Sequence, residues 1–127
     1  MITGLYASIL IPLFFVLMAR VILYRRRNRI GLGDAGDRSL LKRIRAHSNF
    51  IETAPLALIL MALIELQDGS RIGLHILGVN LVLGRMLHAY GFSASPPKMM
   101  FRTGGIFLTL TMIGACGVWL FVLAIRG

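Results

Sequence analysis

The sequence contains few acidic residues, and this shortage narrows the choice of protein class. It has 5 Asp and Glu against 14 Lys and Arg, which gives a formal net charge of +9. In a soluble protein this excess would indicate nucleic-acid binding. Here the basic residues cluster at the ends of long apolar runs, so membrane topology explains them. We therefore expect no nucleic-acid partner.

Cysteine and histidine are also scarce. The one cysteine, Cys116, lies inside an apolar run and excludes an intrachain disulfide. The 3 histidines and Cys116 have scattered spacings, which do not form a metal-ligand pattern. We therefore expect no metal site.

The first apolar run carries no acidic residue at all. A small proton-coupled multidrug exporter needs an acid in a substrate-facing helix, usually the first one. Glu52, near the membrane boundary of the second run, is a poor substitute. Of the functions considered for this sequence, such an exporter is therefore the least favoured.

Apolar residues make up 57% of the chain, a composition that is not typical of a soluble protein. They form four blocks, each close to the ~20 residues that a bilayer-spanning helix needs. The first block is not a cleaved signal peptide by this interpretation, because no basic residue precedes it and its core exceeds the usual ~7–15 residues. The pattern predicts an all-α integral membrane four-helix bundle that forms one domain, residues 1–127. The expected helices span approximately residues 2–24, 40–67, 71–92 and 102–125.

Two connectors are rich in basic residues. The first begins after Tyr24 and the second is Ser93–Arg102. Because short loops rich in Lys and Arg stay on the cytoplasmic side, both termini are expected on the non-cytoplasmic side. In the first connector, Asp37 is the preferred N-cap of the second helix, with Ser39 as the alternative. The arginines of the first connector are Arg25, Arg26, Arg27 and Arg29.

A row of polar side chains enters the second span. Arg45, Asn49 and Glu52 are spaced i, i+4, i+7, so they project from one face of a helix. Ionisable groups at that depth are costly unless they face the protein interior or a wet cavity, which makes them candidates for a functional site. The alternative is a network that only holds helices together, and a structural Glu52–Arg85 pair is compatible with either hypothesis.

Further polar residues are expected at the same depth. Arg85 and His88 share a face near the cytoplasmic end of the third span, and Arg102 precedes the fourth. Such a set suits a small zwitterionic or anionic ligand, because arginines bind carboxylates, a glutamate binds an ammonium group and an asparagine binds a peptide group. The apolar helices beside it would admit a lipid-soluble second substrate.

The run RIRAHSNFIETAPLALILMALIEL and the later LGRMLHAYG resemble the MAPEG family, the membrane-associated proteins in eicosanoid and glutathione metabolism, and above all its short bacterial members. The similarity extends to the loop LGDAGDRSLLKR. It implies a homotrimer of four-helix subunits in the bacterial inner membrane. It also implies glutathione bound between adjacent subunits near the cytoplasmic face. Relatives include glutathione transferases, glutathione peroxidases, and leukotriene- and prostaglandin-forming synthases.

The resemblance assigns roles to particular residues. Arg45, Asn49 and Glu52 fall on the glutathione-contacting positions of the second helix. His47 falls where relatives have a polar residue that reaches the ligand of a neighbouring subunit. Arg85 and His88 fall on the motif of the third helix and are expected to contact the ligand.

Departures from the family pattern concern catalysis more than binding. Thr53 and Phe92 stand where many relatives have tyrosine. Arg102 is the nearest match to the arginine that stabilises the glutathione thiolate in the eicosanoid enzymes, with the arginines of the first connector as alternatives. The sequence thus favours a glutathione transferase with peroxidase side activity on lipophilic electrophiles or lipid hydroperoxides. The other alternative is a non-catalytic trimeric module of the same fold.

Overall fold

The computed structural model describes residues 1–127 and consists of four α-helices without any strand. All four helices are long and apolar enough to cross a membrane. The predicted all-α four-helix membrane bundle is therefore confirmed. The helices are α1 (Ile2–Asn28), α2 (Arg38–Leu66), α3 (Arg71–Ser93) and α4 (Met99–Arg126).

Two helices extend further than predicted. α1 continues past residue 24 to Asn28, and Arg29 ends it in the left-handed conformation with φ 54°. The prediction stopped at the membrane boundary, but arginine is a good helix former and has no reason to end a helix in water. α4 begins at Met99, so Arg102 lies in its first turn and not in a loop. The proline-containing loop is correspondingly short, from residue 94 to 98.

The predicted cap of α2 is confirmed. Asp37 is the N-cap, and its Oδ1 accepts a hydrogen bond of 3.0 Å from the Leu40 amide. Its Oδ2 accepts a second bond, of 2.7 Å, from the Tyr24 hydroxyl of α1. These bonds, with that from Tyr24 foremost, lower the pKa of the Asp37 carboxyl. One carboxylate therefore both starts α2 and ties it to the end of α1.

Helices α2 and α3 form the centre of the bundle. α1 packs against α2 and α3, α4 packs against the same two helices, and α1 and α4 do not meet. Only 25 of 127 residues are buried in the single subunit, and many large apolar side chains of α1 and α4 are exposed. Such exposure is expected where lipid, and not water, is the surrounding solvent.

Two glycines bring α3 and α4 into backbone contact. A Cβ atom at Gly84 would lie 2.8 Å from the Gly105 carbonyl oxygen, which is closer than real contacts allow. Small residues permit such close approach of helices in a membrane. The contact places the first turns of α4 directly against the end of α3 that carries Arg85 and His88.

Candidate functional site

A cavity of about 300 Å³ opens between α2, the end of α3 and the start of α4, at the arginine-rich end of the bundle. It contains four of the seven residues predicted as a site, brought together from three helices. The lining residues are Arg45, Asn49, His88, Phe92, Met99, Arg102, Thr103 and Ile106.

Arg85 lies behind this cavity and is only 1% exposed. Its Nε donates a 3.0 Å bond to Thr109 Oγ1, and Thr109 in turn donates to the Gly105 carbonyl. Its Nη1 donates to the side-chain oxygen of Asn49. Its Nη2 is buried without a hydrogen-bond partner. No carboxylate pairs with Arg85, so this end of the membrane interior holds an uncompensated positive charge.

The hypothesis of a Glu52–Arg85 pair is therefore wrong. Glu52 is instead 3.9 Å from Arg45. The side chains of Arg45 and Glu52 are 50% and 58% exposed in the single subunit. An exposed pair at that separation contributes little stability. Both groups are thus free to meet a ligand at small cost.

Asn49 joins the buried arginine to the cavity. Its Oδ1 accepts from Arg85, which leaves the two N–H donors of the amide for other partners. Its backbone carbonyl accepts a 2.7 Å bond from the hydroxyl of Thr53. The hydroxyl at the position where relatives have tyrosine therefore bonds the helix itself, and Thr53 does not line the cavity.

Phe92 organises the other wall. The guanidinium carbon of Arg102 lies 4.1 Å from the centre of the Phe92 ring, within the range of a cation–π contact. The ring of His88, which is 3% exposed, lies 5.5 Å from the same ring. Of the five arginines considered for thiolate stabilisation, only Arg102 reaches this cavity. Arg102 reaches the cavity because it lies in the first turn of α4.

Besides Arg85, two predicted residues lie outside the cavity lining. Glu52 stands beside it through its contact with Arg45. His47 points toward α1, where its ring centre is 5.9 Å from that of Phe14, and its Nε2 is buried without a partner. The role that the family resemblance gives to His47 concerns a second subunit and stays a prediction.

Sequence reasoning missed Thr109, which is fully buried and holds Arg85. The signal was present in two glycines. Gly84 immediately precedes Arg85, and Gly105 lies one turn before Thr109. Small residues at such positions indicate close helix packing, and the polar side chains next to them are then expected to meet.

Comparison with known proteins adds to this geometry. A family model described as the MAPEG family matches residues 3–124. The chain belongs to the MAPEG family. Two curated relatives, both called Inner membrane protein YecN, come from Escherichia coli K12 and from Escherichia coli O6:H1. Each is 35% identical over 92 residues, which cover 72% of this chain and 70% of the relative. No solved structure matches the chain.

Membership of the MAPEG family confirms the resemblance inferred from the motifs of α2 and α3. The relatives named for the inner membrane agree with the predicted localisation, and the four spans make this an integral multi-pass membrane protein. The name of the relatives states no reaction. The activity must therefore be argued from the cavity.

Proposed function

We propose that the protein binds glutathione in this cavity as the co-substrate of a glutathione transferase, with glutathione peroxidase as a side activity. The observation that carries the proposal is the convergence of Arg45, Asn49 and Arg102 on one cavity at the arginine-rich end of the bundle. When bound, glutathione supplies a thiolate that attacks a lipophilic electrophile or reduces a lipid hydroperoxide.

The charges around the cavity fit such a ligand. Arg45, Arg85 and Arg102 surround it, whereas Glu52 is the single acid nearby. A buried excess of positive charge is costly in a membrane and is relieved by an anion. Arg45 would bind a carboxylate, the free amide N–H groups of Asn49 would bind a carbonyl oxygen, and Glu52 would bind the ammonium group.

Arg102 is assigned to the thiol. Its guanidinium lies against the face of the Phe92 ring, which favours one orientation of the cation beside the cavity. A nearby fixed cation favours thiolate over thiol. His88 stands behind Phe92 and is assigned to shaping the wall. Met99 and Ile106 give the cavity an apolar side toward the bilayer, which suits a lipophilic second substrate.

A homotrimer would complete the site. Exposed residues continue the row of Arg45, Asn49 and Glu52 along α2 at alternating spacings of four and three, which is typical of a helix seam. With a second copy on this seam, the exposed Arg45 and Glu52 would become an enclosed wall. The apolar members of the row are Leu56, Ile59, Leu63 and Leu66.

Calorimetric titration of the detergent-purified protein with glutathione tests the binding step. Arg45→Ala is expected to weaken the affinity by about tenfold or more, since a hydrogen bond to a charged group contributes roughly 1.5–3 kcal/mol. Arg38→Ala is the matched control, because Arg38 is exposed at the same end but lies outside the cavity. Equal losses in both variants, or no binding by the wild type, contradict the proposal.

Turnover is measured on the same samples with a chlorodinitrobenzene and with an organic hydroperoxide. One observation favours the non-catalytic alternative: the Thr53 hydroxyl is bonded to α2 and Phe92 has no hydroxyl, so the cavity lacks both family tyrosines. Glutathione binding without turnover would support this alternative and refute the enzyme.

A further inference from the structure

A second cavity, of about 220 Å³, lies beside the first at the same end of the bundle. Phe92 forms part of both linings, and it is the one residue that the two cavities share. None of the residues assigned to glutathione faces the second cavity. Its lining residues are Arg20, Ser39, Lys42, Arg43, Phe92, Ser93 and Ser95.

The lining has three cations and three serine hydroxyls but no carboxylate. Arg20 and Arg43 are close enough to repel each other. The two acids of the adjacent connector are engaged elsewhere: Asp34 accepts from the Gly36 amide, and Asp37 from Tyr24 and Leu40. Asp37 is near enough to attract the Arg43 guanidinium, although the two groups do not form a salt bridge. Asp37 therefore offsets only part of the charge of the three cations, and the cavity keeps a net positive charge.

The hydrogen bonds leave donors, and not acceptors, facing the cavity. Arg20 donates to the Ser93 oxygen and Arg43 to the Ser39 oxygen. Each hydroxyl therefore accepts from an arginine and keeps its own hydrogen to donate. Each guanidinium has five N–H donors and uses only Nη1 in these bonds. Arg43 is held in place by the Tyr24 ring, 4.4 Å from its guanidinium carbon.

We propose that this cavity binds a phosphate group, either in the headgroup of an anionic phospholipid or in a soluble phosphate. Donors from α1, α2 and the end of α3 converge from three directions, which matches a tetrahedral oxyanion better than a planar carboxylate. The cavity lies beside Tyr24 and the arginine-rich connector, at the depth where clustered Lys and Arg meet lipid phosphates.

Thermal unfolding in dodecyl maltoside tests the proposal with three additions: phosphatidylglycerol, phosphatidylcholine and sodium phosphate, with sodium chloride at equal ionic strength as reference. Phosphatidylglycerol or phosphate is expected to raise the unfolding midpoint of the wild type above the values with phosphatidylcholine and chloride. A response to phosphatidylglycerol alone assigns the site to a lipid. A response to inorganic phosphate alone assigns it to a soluble phosphate, and both results support the proposal.

Substitutions test whether the stabilisation by phosphatidylglycerol or phosphate arises from binding in this cavity. Arg43→Gln is expected to raise, by about tenfold, the concentration of phosphatidylglycerol or phosphate that gives half of the maximal stabilisation. Arg38→Gln removes the same charge from the same end without touching the cavity and should respond like the wild type. Ser93→Ala keeps all charges and should weaken the response, which provides a second variant if Arg43→Gln is poorly folded. Native mass spectrometry of the same samples counts the bound lipid or phosphate directly.

Three results would overturn the proposal. The first is a wild type whose unfolding midpoint rises with neither phosphatidylglycerol nor phosphate, and the second is an equal rise in Arg43→Gln and Arg38→Gln. The third is displacement of the bound phosphate group by glutathione. Arg45→Ala separates this site from the glutathione site, because that variant should lose glutathione binding and keep the full response to the phosphate group.

Discussion

The Arg102 guanidinium carbon lies 4.1 Å from the centre of the Phe92 ring, and this contact joins α4 to the end of α3 at the wall between two cavities. Where many relatives have a tyrosine hydroxyl, this chain has an aromatic face that orients a cation. The family motif thus keeps a ring at this place but changes what the ring does.

The stacked ring predicts a graded effect of substitutions at Phe92. Phe92→Leu should weaken glutathione binding about fivefold, because a cation–π contact contributes roughly 1 kcal/mol and orients Arg102. Phe92→Tyr keeps the ring and should retain binding. Calorimetry gives the affinities, and thiolate absorbance in the ultraviolet reports the thiol. A Leu variant with unchanged affinity and thiolate content would show that the stacking is irrelevant to the site.

The Arg85–Asn49 bond predicts a coupled cost in stability. Asn49→Ala leaves the buried Arg85 Nη1 with only its longer, 3.4 Å bond to the backbone carbonyl of residue 49 and should cost roughly 1–3 kcal/mol. In an Arg85→Met background the same change should cost much less, since no charge remains to be satisfied. Unfolding in detergent mixtures gives the stabilities of the wild type, the two single variants and the double variant. Additive costs would mean that the two side chains do not depend on each other.

The glycine contact between α3 and α4 predicts that alanine substitutions at two neighbouring positions have different effects on stability. A Cβ atom at Gly105 would lie 2.8 Å from the His88 Cα, so Gly105→Ala should destabilise the bundle by roughly 1–3 kcal/mol. Nothing lies within 4 Å of a Cβ at Gly104, so Gly104→Ala should be neutral or gain up to about 1 kcal/mol. Equal unfolding midpoints for both variants would contradict the close approach.

The Asp37 carboxylate predicts a loss of stability in acid. Its hydrogen bonds lower its pKa in the folded state, so its contribution is complete above the unfolded pKa of about 3.9 and is lost as the pH falls through the lower folded value. Asp37→Asn still caps α2 but does not titrate. Its unfolding midpoint should therefore fall less than that of the wild type between about pH 5 and pH 3. Parallel curves would refute this role of Asp37.

The seam on α2 predicts which substitutions prevent the proposed trimer from forming. Ile59→Trp places bulk on the exposed row and should convert the proposed trimer to monomers, whereas Val118→Trp changes an exposed residue of α4 that lies outside the row. Light scattering in detergent gives the mass of each. A monomeric wild type, or a trimeric Ile59→Trp variant with native glutathione binding, would contradict a subunit contact at this seam.

Much of this protein is determined by local sequence. Span length and charge placement define the four helices, because a bilayer accepts only segments that satisfy their own backbone hydrogen bonds. The shared face of Arg45, Asn49 and Glu52 follows from helical spacing alone. The cap at Asp37 likewise depends on a side chain and the three residues after it.

The partners of the buried charges were decided by tertiary structure. Spacing places Arg85 on a helix face, but the rotation of α3 against α2 and α4 selects Asn49 and Thr109 as its partners in place of Glu52. That rotation is set by the contact of Gly84 with Gly105, which no periodicity within one helix encodes. The same contact carries Arg102 to the cavity. Charges on separate helices meet only where backbone packing allows it, and this is why the folded bundle, and not the sequence pattern, assembled the site.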